Sequence, residues 1–174
     1  NLRWLTRPFS DFVVTKLYLP PRDFLTDTVA WPVLIFVTAW VCWRVRGPGL
    51  AIFSGASVAT IGLIGMWELS IDTLVQILIS TALALIVAIP LGVLAGRNRH
   101  VNALLSPILD ALQTIPSLVY IIPAVILFTV GIVPGIIATV LYAMVPGVRI
   151  TALGIRGVAP ESIEASRTFG ATPR

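Results

Sequence analysis

Long stretches without a charged residue are the feature that most constrains how this chain can fold. They cover residues 28–43, 47–67, 73–96 and 111–148. A helix needs about 20 residues to cross the ~30 Å hydrocarbon core of a bilayer. The second and third stretches each suffice for one crossing. The first has only 16 residues, but Trp31, Trp40 and Trp43 can lie at the membrane interfaces, so it also predicts one crossing. The fourth is 38 residues long and predicts two crossings, which gives five in total.

The composition supports a membrane protein. Hydrophobic residues make up 57% of the chain and charged residues 11%, whereas an average soluble domain carries roughly 25% charged residues. So few charges cannot cover the surface of a water-soluble fold of this size. A soluble enzyme, a nucleic-acid-binding protein and a disordered tail are thereby excluded.

The basic residues predict the orientation of the crossings. With the C-terminal end placed inside, eight arginines lie on the cytoplasmic side and four basic residues lie outside. Because cytoplasmic loops are enriched in Lys and Arg, we expect the N-terminus outside and the C-terminal end of the chain in the cytoplasm. The turn between the last two crossings is predicted at Gly131–Gly135, where Pro134 has glycine nearby.

Three segments are predicted from this pattern. Residues 1–27 are predicted as a polar extracytoplasmic tail, 28–72 as two spanning helices, and 73–174 as a membrane core. Within this core, residues 101–114 carry apolar side chains at helical spacing, which predicts an interfacial helix leading into the fourth crossing. The chain begins at Asn1 and no apolar segment follows its last polar stretch. We therefore expect it to be part of a longer protein.

Proline and glycine within the crossings leave two interpretations open. Pro90, Pro116 and Pro123 free backbone carbonyls, which neighbouring helices or a water-lined cavity must then satisfy. The bends therefore serve either helix packing or a translocation path. Gly92–Gly96 fits the small-xxx-small pattern of packed membrane helices.

Two tyrosines give a candidate site in the membrane. With a rise of ~1.5 Å per residue, Tyr120 and Tyr142 lie roughly 16 and 10 Å from the predicted turn, near mid-membrane. Each hydroxyl needs a partner, either on a neighbouring helix or in a wet cavity. In the second case a ring face attracts a cation. The candidate path comprises Gln113, Thr114, Pro116, Tyr120, Pro123 and Tyr142.

Hydrolytic and metal chemistry are not indicated. Nucleotide hydrolysis requires a glycine-rich loop ending in Lys and Ser or Thr, but the single lysine is Lys16 in the predicted tail. The predicted crossings hold no ionisable Asp, Glu, His or Lys, which disfavours intramembrane catalysis. Cys42 and His100 are single residues of their kind and predict no metal cluster. We expect no catalytic residue, metal or cofactor in this chain.

A short polar helix is predicted over residues 160–169. Pro160 suits the first helical turn, and Glu161 and Glu164 suit its positive end. Gly170 can end the helix in a left-handed conformation. A helix resting on the lipid surface is one explanation of this pattern.

The residues of this helix also carry a resemblance. Glu164, Ala165 and Ser166, with Gly170 after three further residues, resemble the EAA-xxx-G loop of ABC importer permeases. Ser166 replaces the second alanine, which exchanges one small residue for another. In that family the loop forms a coupling helix that inserts into a groove of the cytoplasmic ATPase.

The preceding residues narrow the resemblance to one branch. Residues 109–155 resemble permease subunits of glycine betaine/proline-type osmoprotectant importers, above all in the QTIPS-x-x-Y-x-x-P stretch Gln113–Pro123. The resemblance covers residues 70–174 strongly and residues 1–69 only in general layout.

The resemblance implies a fold and a site. The fold is an all-α membrane protein, a polytopic helical bundle of the MetI-like ABC permease type, with about five spanning helices and a cytoplasmic coupling helix. Gly154 and Gly170 would supply the turns that bracket this helix. The implied ATPase contacts are Glu161, Glu164, Ala165, Ser166 and Gly170.

The resemblance also implies partners and a substrate. The partners are a cytoplasmic ABC ATPase, an extracytoplasmic substrate-binding protein or domain, and a second permease copy in the plasma or inner membrane of a prokaryote. The substrate is a quaternary ammonium osmolyte such as glycine betaine, or else proline or choline. Two alternatives remain: a permease for another small solute, such as an amino acid or a sulfonate, and an ATP-independent channel.

Overall fold

The computed structural model describes residues 3–170, and every regular element in that range is helical. The chain forms two compact units. The first unit contains the residues up to 79 together with 124–136, and the second contains 80–123 and the residues from 137 onward.

The first unit is built around the N-terminal helices. They are α1 (Arg3–Phe12), a π-helical segment (Val13–Tyr18), α2 (Leu19–Asp23), a second π-helical segment (Phe24–Thr28), α3 (Trp31–Arg46), α4 (Pro48–Leu63) and the first half of α5 (Trp67–Arg97). Pro32 and Pro48 lie in the first turns of α3 and α4, where a missing N–H costs no helical hydrogen bond. Gly47, at φ 86°, separates the two helices.

The N-terminal residues are helical and packed, although their composition predicted a polar tail. Tyr18 is buried together with Ile71 and Val75 of α5. Its hydroxyl donates a hydrogen bond to Asp72 Oδ1 at 2.8 Å, and Arg22 Nε donates to the same oxygen at 2.9 Å. An ion pair and an apolar cluster therefore hold this segment against the start of α5.

The second unit contains the second half of α5 and the C-terminal helices. These are α6 (Arg99–Thr114), α7 (Ser117–Phe128), α8 (Ile132–Arg156) and α9 (Pro160–Thr168), with the last residues of α7 and the first of α8 belonging to the first unit. The helix predicted over 101–114 is confirmed as α6. Its buried Leu109 packs in one cluster with Ala88 of α5 and with Val145 and Val148 of α8.

Helices α5 and α8 approach each other closely through small residues. A Cβ atom added at Gly92 would lie 2.5 Å from Thr151 Cβ, and one added at Gly96 would lie 2.9 Å from Ile155 Cβ. On the opposite helix, a Cβ added at Gly147 would lie 2.8 Å from Ala88 Cβ. The small-xxx-small pattern at Gly92–Gly96 thus marks a true helix–helix contact.

The described helices give fewer clear crossings than the five predicted. By length and composition α5 and α8 can each span a membrane, and the count rises to four if each of two bent helix pairs is one span. These pairs are Thr6–Thr28 with α3, bent by 96°, and α6 with α7. Helix α4 has 16 residues and is shorter than a full crossing requires.

The turn predicted at Gly131–Gly135 is wrong in position. Helix α7 ends at Phe128 and α8 begins at Ile132, so the chain turns over residues 129–131, with Thr129 in the left-handed region at φ 70°. Pro134 lies in the first turn of α8. It does not break that helix because the first-turn N–H groups have no intrahelical acceptor.

Candidate functional site

The predicted coupling residues lie on α9 and directly after it. The helix begins at Pro160, has Glu161 in its first turn, and ends at Thr168. The Thr168 hydroxyl donates to the Glu164 carbonyl oxygen at 2.9 Å, and the Phe169 N–H donates to the Ala165 carbonyl oxygen at 3.2 Å. These local hydrogen bonds close the last turn of the helix.

Gly170 has the conformation that was predicted for it. Its φ of 85° lies in the left-handed region that favours glycine. Glu164, Ala165 and Ser166 are exposed on the helix, and Phe169 beside Gly170 is 91% exposed. The segment therefore offers two acidic side chains and one large apolar side chain to solvent or to a partner.

The turn before α9 is not made by Gly154, contrary to prediction. Gly154 lies inside α8, which continues to Arg156, and the chain turns over residues 157–159. No other described heavy atom lies within 4 Å of the Cβ position at Gly154, apart from its chain neighbours and its own helix backbone. One glycine inside a helix costs only about 1 kcal/mol relative to alanine, so α8 continues through Gly154.

Three of the predicted path residues lie at the break between α6 and α7. Helix α6 ends at Thr114, and Ile115 is extended with ψ 127°. Gln113, Thr114 and Pro116 are exposed around the break. The Thr114 hydroxyl donates to the Ala111 carbonyl oxygen at 3.0 Å, within the last turn of α6.

The three prolines singled out in the sequence have different effects. Pro90 lies inside α5 and Pro123 inside α7, and both helices continue through them. Pro116 alone among these three lies at a helix break. Proline at the end of α6 also keeps the preceding residue out of the helical region, which agrees with extended Ile115.

The two predicted tyrosines differ in exposure. Tyr120 is buried, and its hydroxyl donates to the carbonyl oxygens of Leu112 and Ile115 at the end of α6. Tyr142 on α8 is 58% exposed. The sequence left two kinds of partner open for the Tyr120 hydroxyl, a group on a neighbouring helix or a wet cavity. The structure has the first, at the end of α6.

Two arginines of α8 make contacts that the sequence pattern did not indicate. Arg149 Nη2 donates to Asp110 Oδ1 of α6. Arg156 donates to the carbonyl oxygens of Ala95 and Gly96, in the last turn of α5. In the sequence, the one sign of these contacts was Asp110, a charged residue that interrupts the apolar face of α6. Together these contacts hold the helix that precedes α9 to both α5 and α6.

A groove lies beside these contacts, between α6 and α8. It has a volume of about 270 Å³, and Asn102, Ser106, Arg149 and Arg156 give it a polar side. Within residues 3–170, no three His, Cys, Asp or Glu side chains gather as a metal site would require. The chemistry available here is hydrogen bonding and charge pairing.

Comparison with known protein families gives a match for the C-terminal half of the chain. Residues 88–174 match the family described as "Binding-protein-dependent transport system inner membrane component". The matched range contains the close contact of α5 with α8, the break between α6 and α7, and helix α9.

Three curated proteins illustrate the similarity. The chain is 40% identical over 143 residues to the glycine betaine/proline betaine transport system permease protein ProW of Escherichia coli, covering 82% of this chain and 40% of that protein. It is 41% identical over 140 residues to the glycine betaine/carnitine transport permease protein GbuB of Listeria monocytogenes, covering 80% and 50%. It is 36% identical over 183 residues to the glycine betaine transport system permease protein OpuAB of Bacillus subtilis, covering 97% and 62%. The chain thus spans about half the length of these relatives.

Proposed function

Because this chain belongs to the family of binding-protein-dependent transport system inner membrane components, we propose that it is the membrane permease subunit of an ATP-driven importer. The observation that carries the proposal is the family match over residues 88–174. It is supported by the form of α9, a short exposed helix that ends before a left-handed glycine. The subunit itself is not an enzyme in this proposal.

The proposed partners are those that such a role requires. A cytoplasmic ABC ATPase hydrolyses ATP, an extracytoplasmic binding protein or domain delivers the substrate, and a second permease copy completes the path. Helix α9 contacts the ATPase through Glu161, Glu164, Ala165 and Ser166, and Gly170 fixes the direction in which the chain leaves. Both glutamates are exposed, so they are accessible to arginine or lysine on a partner.

The proposed substrate is a quaternary ammonium osmolyte such as glycine betaine, with proline and choline as close candidates. The names of the three relatives support this choice, since each contains glycine betaine. Another small solute is the second candidate. The proposed path runs past Gln113, Thr114, Pro116, Pro123 and Tyr142. Tyr120 is included because it lies beside the break between α6 and α7.

Reconstitution tests the function. The full-length protein is placed in liposomes with its ATPase and its binding protein, and uptake of radiolabelled glycine betaine is measured with ATP, with ADP and with an excess of unlabelled proline or choline. We expect uptake with ATP only. Uptake that is independent of ATP would indicate a channel, and uptake of amino acids or sulfonates in place of betaine would contradict the proposed substrate.

The coupling role has its own test. Gly170→Val forces a β-branched residue into the left-handed region, and Glu164→Lys reverses a charge on α9. In full-length protein we expect both variants to insert normally and to lose uptake driven by ATP. Gly154→Val is the matched control, because Gly154 lies in an ordinary helical turn with open space at its Cβ position. Normal transport by both α9 variants would contradict the coupling role.

Orientation is tested by labelling from one side. We propose that the N-terminus lies outside and α9 inside. In a full-length background from which all cysteines, Cys42 included, have been removed, Trp4→Cys and Val158→Cys place single thiols at positions that are 73% and 49% exposed. An impermeant maleimide should label Trp4→Cys in intact cells and Val158→Cys only after permeabilisation. The reverse pattern would place α9 away from the cytoplasmic ATPase and overturn the assignment.

A further inference from the structure

Tyr120 makes a contact that depends on the break between α6 and α7. The side chain is 8% exposed, and its hydroxyl donates to the carbonyl oxygen of Leu112 and, at 3.3 Å, to that of Ile115. Both carbonyls lie at the C-terminal end of α6, where the last carbonyls of a helix have no N–H partner within the helix. Tyr120 therefore caps α6 from the first turns of α7.

Pro116 explains why this cap is needed. In a continuous helix the Leu112 carbonyl would accept the N–H of the residue four positions later, and that residue is Pro116, which has no N–H. Tyr120 lies four residues beyond Pro116 and supplies an O–H in its place. In an apolar environment an unpaired carbonyl is costly, so proline and tyrosine at this spacing act as a unit.

The capped helix is also fixed on its other side. Asp110 of α6 pairs with Arg149 of α8, and Leu109 packs against Val145 and Val148 of the same helix. Helix α8 leads through a short turn to α9. One hydroxyl cap, one ion pair and one apolar cluster thus connect the break to α8, and α8 leads to α9.

We propose that Tyr120 is a positioning residue for transport: its hydroxyl replaces the N–H that Pro116 lacks and so fixes the bend between α6 and α7. This inference rests on the proposed function, because the bend carries the path residues Gln113 and Thr114. Tyr120 acts on the substrate through the position of these residues. Its buried ring does not contact the substrate.

Two variants separate positioning from simple stabilisation. Tyr120→Phe removes the hydroxyl and keeps the ring. Pro116→Ala added to Tyr120→Phe returns an N–H to the position that Leu112 would use in a continuous helix, so it satisfies the carbonyl but straightens the bend. Tyr18→Phe is the matched control. It removes the hydroxyl of another buried tyrosine, which bonds to Asp72 in the first unit.

The measurements are thermal unfolding and ATP-driven betaine uptake per folded complex in reconstituted full-length protein. We expect Tyr120→Phe to lower the unfolding temperature and to reduce uptake roughly tenfold, because the bent conformation then leaves one buried carbonyl unsatisfied and its population falls by about that ratio. We expect the double variant to recover the unfolding temperature and to leave uptake low. Tyr18→Phe should lower the unfolding temperature and leave uptake per folded complex unchanged.

Several results would overturn this inference. They are wild-type uptake in Tyr120→Phe, recovery of both stability and uptake in the double variant, a double variant that does not fold, or an equal loss of uptake in Tyr18→Phe. The proposed function fails separately, if the wild-type complex itself does not take up betaine with ATP.

Discussion

Two helix pairs in the described part of the chain are in contact through glycine, and the two contacts are built differently. Between α3 and α4, a Cβ atom added at Gly55 would lie 3.4 Å from Ala39 Cβ, which is ordinary van der Waals contact. Between α5 and α8, a Cβ atom added at Gly92 would lie 2.5 Å from Thr151 Cβ and 2.8 Å from the Val148 carbonyl oxygen. Only the second contact requires that the residue have no side chain.

The two helix pairs also differ in the segment to which each one leads. Large apolar side chains are exposed on both pairs, for example Phe36 and Phe53 on the first and Ile86 and Ile150 on the second, as expected of helices that face lipid. Membrane helices gain little from apolar burial and associate through close packing of small residues. The α5–α8 contact has that form, lies within the family-matched residues, and holds the helix that leads to α9. We infer that the α5–α8 contact is the rigid part of this half of the protein.

The largest expected effect is that of Gly92→Val. The new side chain meets both a side chain and a backbone atom of α8, so the two helices must separate. Overpacking costs ~1–3 kcal/mol and occasionally more, and we expect a loss at the upper end of that range. The measurements are the yield of monodisperse full-length protein and its thermal unfolding. Gly154→Val, the same replacement at an open position of α8, should have a much smaller effect, and equal effects would contradict the close contact.

A swap of one methyl group across the same contact should have an intermediate effect. Gly147→Ala places its Cβ 2.8 Å from Ala88 Cβ, and we expect a loss of about 1–2 kcal/mol despite the better helix propensity of alanine. Ala88→Gly alone loses helix propensity and packing. The double variant moves the methyl group from one helix to the other and should unfold near the wild-type temperature. Additive losses in the double variant would show that the two positions do not touch.

Arg156 should contribute less, because its contact lies at the exposed end of α5 and α8. Its guanidinium donates to the carbonyl oxygens of Ala95 and Gly96, and a cation at a helix C-terminus is worth ~0.3–1 kcal/mol. Arg156→Met keeps most of the aliphatic stem and should lose that amount at low salt. The difference from wild type should shrink in about 1 M salt, where screening becomes short-ranged. A stability difference that does not change with salt would indicate that Arg156 contributes by packing and not by its charge.

Local signals in the sequence predicted the helices better than their partners. The apolar spacing of α6 and the Pro160 and Gly170 limits of α9 were predicted because each depends on neighbours within a turn. The turn at 129–131 was misplaced because Pro134 is equally compatible with a turn and with the first turn of a helix. A small-residue pattern such as Gly92–Gly96 packs against another helix that is distant in sequence, so the pattern alone does not identify that helix. For the same reason the sequence left the hydroxyl partner of Tyr120 open and did not indicate the pairing of Asp110 with Arg149.

The smallest expected effect, and the one of opposite sign, is that of Gly55→Ala on α4. The added methyl group would rest on Ala39 Cβ at 3.4 Å and near Ile35 Cγ2 at 3.8 Å, so it gains contacts without displacing either residue. Alanine also loses less backbone entropy than glycine in a helix, by roughly 0.5–1 kcal/mol. We therefore expect Gly55→Ala to raise the unfolding temperature slightly and to leave betaine uptake unchanged. A loss of stability comparable to that of Gly147→Ala would mean that α3 and α4 pack as tightly as α5 and α8, and it would remove the distinction between the two contacts.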